Sequence, residues 1–416
     1  MNRLQTIPRF TVTYGFRDFC VGVGSLFRRN PPLPLPVDEM FPTASKFWTG
    51  SGRQALGLML NALDLPAGAG VAVPLYTDAS VFQTVAACNL TPVFVDIDEN
   101  TLTMSPASLG EVRDRISAVV AVHLFGHVAP VAELQSAAPN LPLIEDTVHA
   151  PFSLLEGKLA GTMGIGCFFS FGSSKCWPAG GGGIAVLNDQ RLFPGVAEAA
   201  TNLEAQSLKD RSWNLVCQTA KSAVFRRPLY GAIARPLRAS MERRGMLEPM
   251  LDHRAIQPGQ AAVALRQMAS FPARVDLQRR NSHRLLTALC DVPDIVLPRE
   301  RAGTRYNYHF FPVLLTGAEE RDDVTQKMLA KAVDTSRVYY NVVDYARELG
   351  YIGGCPMAES APRRMLTLPN YAGLSDREID YIAETFVDSL NAHRARRGSH
   401  GWVSGVATQK TGMGAR

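Results

Sequence analysis

Short apolar runs alternate with helix-like segments along the first half of the chain. The apolar runs at residues 71–76, 92–98, 118–125 and 141–146 predict buried strands. The segments at residues 51–63, 80–89, 105–116 and 131–138 space their apolar residues as helices do. Strand–helix alternation is typical of a mostly parallel sheet that is covered by helices on both faces. We therefore predict an α/β fold.

The pattern continues with strands at residues 167–171 and 182–188 and then changes to long helical stretches at 192–204 and 212–241. A second α/β portion follows, with helices at 259–289, 321–332 and 375–392 and strands at 308–315 and 365–369. The predicted organisation has four parts: an irregular N-terminal segment 1–44 with a proline-rich run, a large domain 45–255 with a basic helical insertion at about 205–250, a smaller C-terminal α/β domain 256–393, and a disordered tail 394–416.

Composition narrows the class of protein. Apolar residues make up 46% of the 416 residues and charged residues 19%, which is enough for a large buried core and excludes a disordered chain. The net charge of +5 is too diffuse to indicate nucleic-acid binding. No run approaches the roughly 18 apolar residues that a membrane-spanning helix needs, and the first residues, MNRLQTIPRF, do not resemble a signal peptide. We expect a cytoplasmic protein without an integral membrane segment.

The seven cysteines are scattered and form no C-x-x-C pair. Metal sites need clustered ligands and secreted disulfide frameworks need paired cysteines, so we predict reduced thiols and no metal site. Cys176 has two interpretations, because it follows a lysine: an ordinary packing residue, or a thiol in an electropositive environment.

Candidate chemistry lies at the ends of the predicted strands, where ligands bind on sheets of this kind. In LIEDTVHA, Asp146 follows a buried strand directly, and a desolvated carboxylate is costly unless it is paired. Asp146 therefore either faces a cationic ring nitrogen or caps a following helix. His149, three residues on, would share a helical face with it.

The segment FSFGSSKCW places Lys175 between aromatic residues and Cys176, in surroundings that predict burial. Burial favours the neutral amine, which is a nucleophile suited to a Schiff base. The glycine run at residues 180–183 gives backbone freedom near a ligand but does not match the dinucleotide-binding fingerprint. An acid after one strand and a buried lysine about thirty residues later meet the requirements of pyridoxal phosphate (PLP).

Two further positions each allow two interpretations. SGRQAL, beginning at Ser51, is either an ordinary helix N-cap or an anion site in which Gly52 permits close approach. Tyr76, just past a strand end, is either a core aromatic or a residue that stacks on a ring.

These motifs, in this order, resemble the DegT/StrS family of PLP-dependent sugar aminotransferases. SGRQAL, VPLY, PVFVDID, VHLFG, EDTVHA and SFGSSK with its glycine run match the family pattern, as does the later LTLPNYAGLSDREI. The resemblance covers about residues 45–390. It implies a fold-type-I PLP-dependent transferase, which has a large domain with a mostly parallel seven-stranded sheet and a smaller α/β domain, acts as a homodimer, and completes its sites across the interface.

The resemblance also implies roles for single residues. Lys175 is the Schiff-base lysine and proton shuttle, Asp146 pairs with the pyridinium nitrogen, and His149 lies against the ring or its 3′-oxygen. The phosphate is bound by Gly52, Arg53 and Ser170.

The sequence departs from the family at three places. Arg53 stands where threonine is usual, and Asp78 stands where an aromatic often stacks on the ring, so Tyr76 is the alternative stacking residue. The loop that reaches the neighbouring subunit's phosphate has a degraded counterpart at residues 250–257. The basic segment 209–244 is either a solvated helix pair or a site for a pyrophosphate or acidic surface.

The predicted activity is the transfer of an amino group from glutamate or glutamine to a keto sugar, expected to be nucleotide-linked, in polysaccharide or secondary-metabolite biosynthesis. One alternative is a PLP-dependent sugar dehydratase, in which histidine typically replaces the lysine, so Lys175 argues against it. The other alternative is a cofactor-binding but inactive regulatory homologue.

Overall fold

The computed structural model describes residues 5–237 and 253–400, and the side chains up to residue 396. Its central feature is a sheet whose seven strands run in the order β1-β9-β8-β5-β4-β2-β3. The strands of this sheet are β1 (Ser45–Thr49), β2 (Gly70–Pro74), β3 (Thr91–Val95), β4 (Ala118–Val122), β5 (Leu143–Asp146), β8 (Gly166–Ser170) and β9 (Gly183–Leu187).

Four neighbouring strand pairs in this sheet are parallel and two are antiparallel. The parallel pairs are β2–β3, β2–β4, β4–β5 and β5–β8, whereas β9 pairs antiparallel with both β8 and β1. The predicted α/β fold with a mostly parallel seven-stranded sheet is confirmed. The edge strand β1, which the hydrophobic pattern did not predict, is short and only half-buried over most of its length.

Helices cover both faces of the sheet and form most of the C-terminal part. Their bounds are Phe16–Gly24, Leu35–Met40, Gly52–Ala62, Ala79–Ala87, Pro106–Val112, Val131–Ala137, Phe193–Thr201, Leu208–Val224, Pro258–Ala269, Phe271–Leu289, Ala318–Ala330, Val342–Glu348, Pro356–Arg364 and Asp376–His400, with a π-helix at Tyr230–Ala234. The predicted helix at 259–289 is therefore two helices, which meet at Ser270 just before a proline. Helices 342–348 and 356–364 were not predicted.

Two small sheets complete the structure. One joins β6 (Leu154–Leu155) to β7 (Lys158–Leu159) and β10 (Thr304–Arg305). The other is an antiparallel pair, β11 (Phe311–Leu314) with β12 (Met365–Leu368). The second pair is the sheet of the smaller C-terminal α/β unit. Its residues Phe311, Val313, Leu366 and Leu368 form one hydrophobic cluster with the helices 271–289, 318–330 and 376–400.

The hydrophobic cores place the change of domain later than the predicted boundary near 255. Ile256, Ala264 and Val275 pack in one cluster with Phe169 and Ile184 of the large sheet. Within the two helices 258–269 and 271–289, Leu285 is the first residue that belongs to the core of the C-terminal unit. The helix 258–269 therefore belongs with the large sheet because it covers that sheet's apolar face.

The N-terminal segment was predicted to be irregular, but it contains two helices. At the first, Asp18 accepts a hydrogen bond from the amide of Gly15 (2.7 Å) and so caps the helix start, and Arg266 holds the same carboxylate at 2.5 Å. At the second, Pro36 occupies the first turn, where its missing N–H costs nothing. The proline-rich run therefore leads into a helix.

The predicted disordered tail begins too early, since the last helix continues to His400. Arg394 holds it in place by donating hydrogen bonds to Glu320 Oε1 and to the carbonyl of Pro293, both at 2.9 Å. Tertiary contacts of this kind do not appear in a hydrophobic pattern. Residues 401–416, the rest of the predicted tail, lie outside the described residues.

The described part of the basic insertion is helical, as predicted, and consists of the helix Leu208–Val224 and the π-helix Tyr230–Ala234. Two of its arginines bind protein groups: Arg226 donates to the carbonyl of Tyr14 (2.9 Å), and Arg227 pairs with Glu378 (2.5 Å). Residues 238–252, with Arg238, Arg243 and Arg244, lie outside the described residues. Among the helices that are described, none combines the length and apolar character needed to cross a membrane.

Candidate active site

A cavity of about 930 Å³ opens at the carboxyl ends of the parallel strands. Asp78 follows β2, Asp146 ends β5 and Ser170 ends β8, and all three line the cavity. The start of the helix Gly52–Ala62 and Lys175 complete its floor. The topology thus brings together residues that lie more than a hundred positions apart in the sequence.

The two adjacent acids at the end of β5 have different roles because successive residues of a strand point to opposite faces. Glu145 is fully buried behind the sheet, where it accepts hydrogen bonds from the amides of Gly161 (2.8 Å), Met163 (2.7 Å) and Gly164 (2.6 Å). His123 lies 2.9 Å from it. Glu145 is therefore a fully satisfied structural group, and Asp146 is the carboxylate that faces the cavity.

Asp146 is 7% exposed, and within the described residues its side chain accepts one hydrogen bond, from the amide of Val148 at 3.0 Å. Burial raises its pKa to about 6, against the opposing effects of that hydrogen bond and of Lys175. The residues that follow form a turn, so Asp146 does not cap a helix and does not share a helical face with His149. A buried carboxylate with a single amide partner is suited to a cationic ligand.

Lys175 lies in the turn after β8 and points into the cavity. Its Nζ is 3.5 Å from His149 Nε2 and 3.9 Å from Asp78 Oδ2, and its side chain is 19% exposed. The amine is thus accessible from the cavity while most of its stem is covered, which suits a nucleophile.

His149 is buried beside the lysine, and its place against the cofactor ring stays a prediction. Burial lowers its pKa well below the usual value, and the charge of Lys175 and the neighbouring His309 act in the same direction. Its ring is stacked with those of Phe125, at a centroid distance of 6.3 Å, and Tyr339, at 6.5 Å. A neutral imidazole in a fixed orientation can accept a hydrogen bond from the lysine without repelling it.

At the start of the helix Gly52–Ala62, the floor of the cavity allows a ligand to approach the backbone closely. Ser51 caps this helix by accepting the amide of Gln54 at 3.2 Å. A side chain at Gly52 would come within 2.9 Å of Ser170 Cβ, so the helix start and the Ser170 hydroxyl lie side by side. Within the described residues, that hydroxyl makes no hydrogen bond to another protein group. A helix N-terminus next to a free hydroxyl favours an anion such as phosphate.

The glycine run forms the neighbouring wall, and its backbone explains why glycine is needed. Gly180, Gly181 and Gly182 have φ values of 83°, 149° and 92°, which side-chain-bearing residues rarely adopt. The amide of Gly182 donates to the carbonyl of Gly50 (3.0 Å) and so joins this run to the phosphate end of the cavity.

Arg53 and Arg254 also line the cavity. Arg53 is the second residue of the helix Gly52–Ala62, so the substitution noted in the sequence places a cation at the helix start. Arg254 belongs to the segment 250–257, and its backbone pairs with that of Glu204 in an isolated parallel β-bridge. Residues 250–252 of that segment lie outside the described residues.

Tyr76 does not line the cavity. It is fully buried, and its hydroxyl donates to the carbonyl of Val338 at 3.0 Å. Its ring packs edge-on against Tyr339 at a centroid distance of 6.1 Å. Of the two interpretations given above, the structure favours the core aromatic, which holds the loop that carries Tyr339.

Two residues that line the site, Asp78 and Tyr339, were not predicted from the sequence to be site residues. Asp78 was noted only as a departure; it caps the helix Ala79–Ala87 through Ser80 N (3.1 Å) and also faces Lys175. Its position in the loop that follows β2 could have indicated this. Tyr339, at the cavity wall, comes from the C-terminal unit and has a φ of 56°. No signal near it in the sequence indicates the site.

Cys176 is a packing residue. It is 6% exposed, and burial raises its pKa to about 12, so the thiol stays protonated. Its Sγ lies 3.3 Å from His309 Nδ1. All seven cysteines are free.

A lysine, an acid at a strand end and a helix start, meeting at the carboxyl edge of a mostly parallel sheet, define a fold-type-I PLP-dependent enzyme. The family model of the DegT/DnrJ/EryC1/StrS aminotransferase family matches residues 47–387. The chain belongs to this family and is a PLP-dependent aminotransferase.

Individual relatives are similar over most of their length. GDP-perosamine synthase of Escherichia coli O157:H7 is 26% identical over 342 residues, which cover 80% of this chain and 83% of that protein. L-glutamine:2-deoxy-scyllo-inosose aminotransferase of Micromonospora echinospora is 28% identical over 381 residues, covering 84% and 83%. The PLP-form structure of the putative sugar aminotransferase Spr1654 from Streptococcus pneumoniae superposes with a TM-score of 0.75 at 19% identity, over 93% of this chain and 99% of that one.

The cavity fits PLP. When bound, this cofactor supplies an electrophilic carbon and a ring that withdraws electrons from the reacting carbon. Asp146 would hold the ring nitrogen, Ser170 and the helix start at Gly52 and Arg53 would hold the phosphate, and Lys175 would carry the covalent attachment. Two observations on the described residues support this fit: the buried Asp146 carboxylate accepts a single amide hydrogen bond, and the Ser170 hydroxyl, which has no protein partner there, lies beside a helix start.

Replacing Ser170 with alanine is expected to weaken cofactor binding, since one charge-assisted hydrogen bond to the phosphate is lost. The expected cost is about 1.5–3 kcal/mol, or roughly a tenfold or larger rise in the dissociation constant. Cofactor retention after dialysis would measure it. Ser153, whose hydroxyl is buried and bonded to the carbonyl of Gly126 at 2.9 Å, is a control serine away from the cavity. Unchanged retention in Ser170→Ala would contradict the phosphate role.

Proposed function

We propose that this protein transfers an amino group from glutamate or glutamine to the carbonyl of a keto sugar, with Lys175 as the covalent and proton-transferring residue. The position of the Lys175 amine carries the proposal: it is reachable from the cavity, 3.5 Å from a buried imidazole and 3.9 Å from a carboxylate. Those two groups can orient the amine and accept or return its proton.

The relatives support the substrate class. One is named for a GDP-linked amino sugar and another for a glutamine-dependent reaction on a keto cyclitol. Both names refer to a polyhydroxylated ring. We propose that the acceptor of this protein also contains such a ring. A nucleotide carrier, which the resemblance implies, is not part of this proposal.

We also propose that the protein is a cytoplasmic homodimer that acts in polysaccharide or secondary-metabolite biosynthesis. Arg53 and Arg254 line the cavity, and the family completes its sites across a subunit interface. Size-exclusion chromatography with light scattering would measure the assembly state, and a monomer with full activity would refute the homodimer.

The donor half-reaction tests the proposed function. The purified protein with bound PLP, mixed with L-glutamate or L-glutamine, is expected to lose its visible absorbance as the cofactor takes the amino group, and to regain it when a keto sugar is added. D-glutamate serves as the control donor. A dehydratase or an inactive homologue would show no stoichiometric conversion with either L-amino acid, and that result would refute the proposal.

A further inference from the structure

The cavity has two unlike halves. The floor described above is polar and charged. Another wall is built from residues 10–12 and 217–237, that is, from the N-terminal segment and the basic insertion. Ten described residues of these two segments line the cavity, and nine of them are apolar. The tenth, Lys221, is the one residue of this wall that carries a charge.

This wall is anchored to the rest of the protein. The rings of Phe10 and Phe225 are stacked with centroids 5.1 Å apart, which joins the two segments. Tyr230 is fully buried and its hydroxyl bonds to Asp334, the carboxylate that Arg9 Nε also holds at 2.9 Å. The insertion is thus fixed by its inner side to both the N-terminal segment and the C-terminal unit.

The outer side of the same segment presents apolar side chains to the cavity. Ile233 and Leu237 line it and are 46% and 59% exposed, whereas Tyr230, on the inner side, is covered. Apolar surface left in contact with water inside a concave site is unfavourable until a ligand covers it. PLP would bind at the polar floor, so it does not cover this wall.

We propose that the keto-sugar acceptor carries an apolar substituent, alkyl, prenyl or aryl in nature, which lies against Ile233 and Leu237 and is selected by them. This inference rests on the proposed function and names the class of its acceptor. A nucleotide is the competing substituent, but its diphosphate and base need several polar partners, and the described residues of this wall offer one charged side chain, that of Lys221. The wall is continuous with the cavity that holds Lys175, so one ligand can occupy both.

Calorimetric titration of the PLP-bound protein with three soluble probes tests the proposal. n-Octyl β-D-glucoside, kept below its micelle-forming concentration, is expected to bind at least tenfold more tightly than methyl β-D-glucoside, because its chain covers the apolar wall. UDP-glucose is expected to bind no more tightly than the methyl glucoside. Equal affinities for the octyl and methyl glucosides, or a clear preference for UDP-glucose, would overturn the proposal.

Variants of the wall residues test whether the octyl chain binds at Ile233 and Leu237. Ile233→Asp and Leu237→Asp are each expected to lower octyl glucoside affinity to the level of the methyl glucoside. Ile352→Asp, at a fully exposed isoleucine that does not line the cavity, is the matched control and should bind like the unsubstituted protein. Because all three positions are exposed, circular dichroism should show unchanged folding.

Two results would assign the wall differently. Unchanged octyl glucoside binding in both wall variants refutes the proposal. If Ile233→Asp instead separates a dimer while octyl glucoside binding persists, a second copy of the chain covers the wall. The donor half-reaction of the unsubstituted protein is measured on the same preparation. Its failure refutes the proposed function, whereas the comparison of the two glucosides reports on the wall alone.

Discussion

Lys175→Ala is expected to abolish both half-reactions while leaving the fold intact. In the proposed function this lysine supplies the covalent attachment and moves the proton. Lys221, the other described lysine that lines the cavity, belongs to the apolar wall and not to the floor. His149 and Asp78 remain in the variant, but neither can form the attachment. We expect turnover below detection, loss of the visible absorbance of lysine-bound cofactor, and weak residual binding of PLP through the phosphate and ring contacts.

The matched control is Lys158→Ala. Lys158 is an exposed lysine in β7, remote from the cavity lining, and its replacement should leave absorbance and turnover unchanged. Absorbance spectra, single-turnover conversion with L-glutamate and thermal unfolding of both variants form one experiment. Normal transamination by Lys175→Ala would place the active site elsewhere.

The hydrophobic pattern was sufficient to predict the sheet because its central strands are buried on both faces. β4 and β5 are buried along their whole length, and such strands appear as uninterrupted apolar runs. Their carboxyl ends are where chemistry was predicted, and Asp146 and Ser170 do line one cavity. The different positions of the two adjacent acids also follow from a local rule. Successive side chains of a strand point to opposite faces of the sheet, so Glu145 and Asp146 lie on opposite faces.

Features that depend on distant contacts could not be predicted in this way. The N-terminal helices form against the helix Pro258–Ala269, through Arg266 and Asp18. Tyr339 reaches the site because Tyr76, 262 positions away in the sequence, bonds to the backbone of Val338. The apolar wall exists because Phe10 stacks on Phe225. Each contact joins segments whose own patterns give no sign of the other.

In the proposed site, Asp146 acts on the cofactor through its charge. An ionised carboxylate next to the ring nitrogen favours its protonated form, and only that form withdraws electrons well from the reacting carbon. The contribution is therefore greatest in the transition state. Because the pKa of Asp146 is raised to about 6 by burial, the carboxylate is ionised at neutral pH but not in mild acid.

Asp146→Asn is expected to lower kcat at least a hundredfold, equivalent to about 2.7 kcal/mol at roughly 1.36 kcal/mol per decade. The amide is nearly the same size and can still accept the hydrogen bond from Val148, so folding and cofactor loading should survive. Asp146→Glu should retain more activity because the charge is kept. If Asn is nearly fully active and Glu is not, Asp146 only shapes the turn.

The stability of the cofactor-free protein gives the same substitution an independent test. The folded pKa of Asp146, about 6, lies above its ordinary value of 3.8, so the folded state holds the proton more tightly. Stability is then lost as the pH rises from about 4 to 6, and the loss, up to about 3 kcal/mol, is complete above that window. Asparagine has no charge to bury. Cofactor-free Asp146→Asn should therefore unfold at a higher temperature than the unsubstituted protein at pH 7, and at a similar temperature at pH 4. Equal melting temperatures at both pH values would show that the buried charge costs nothing, and so remove the reason for expecting a cationic ring nitrogen beside it.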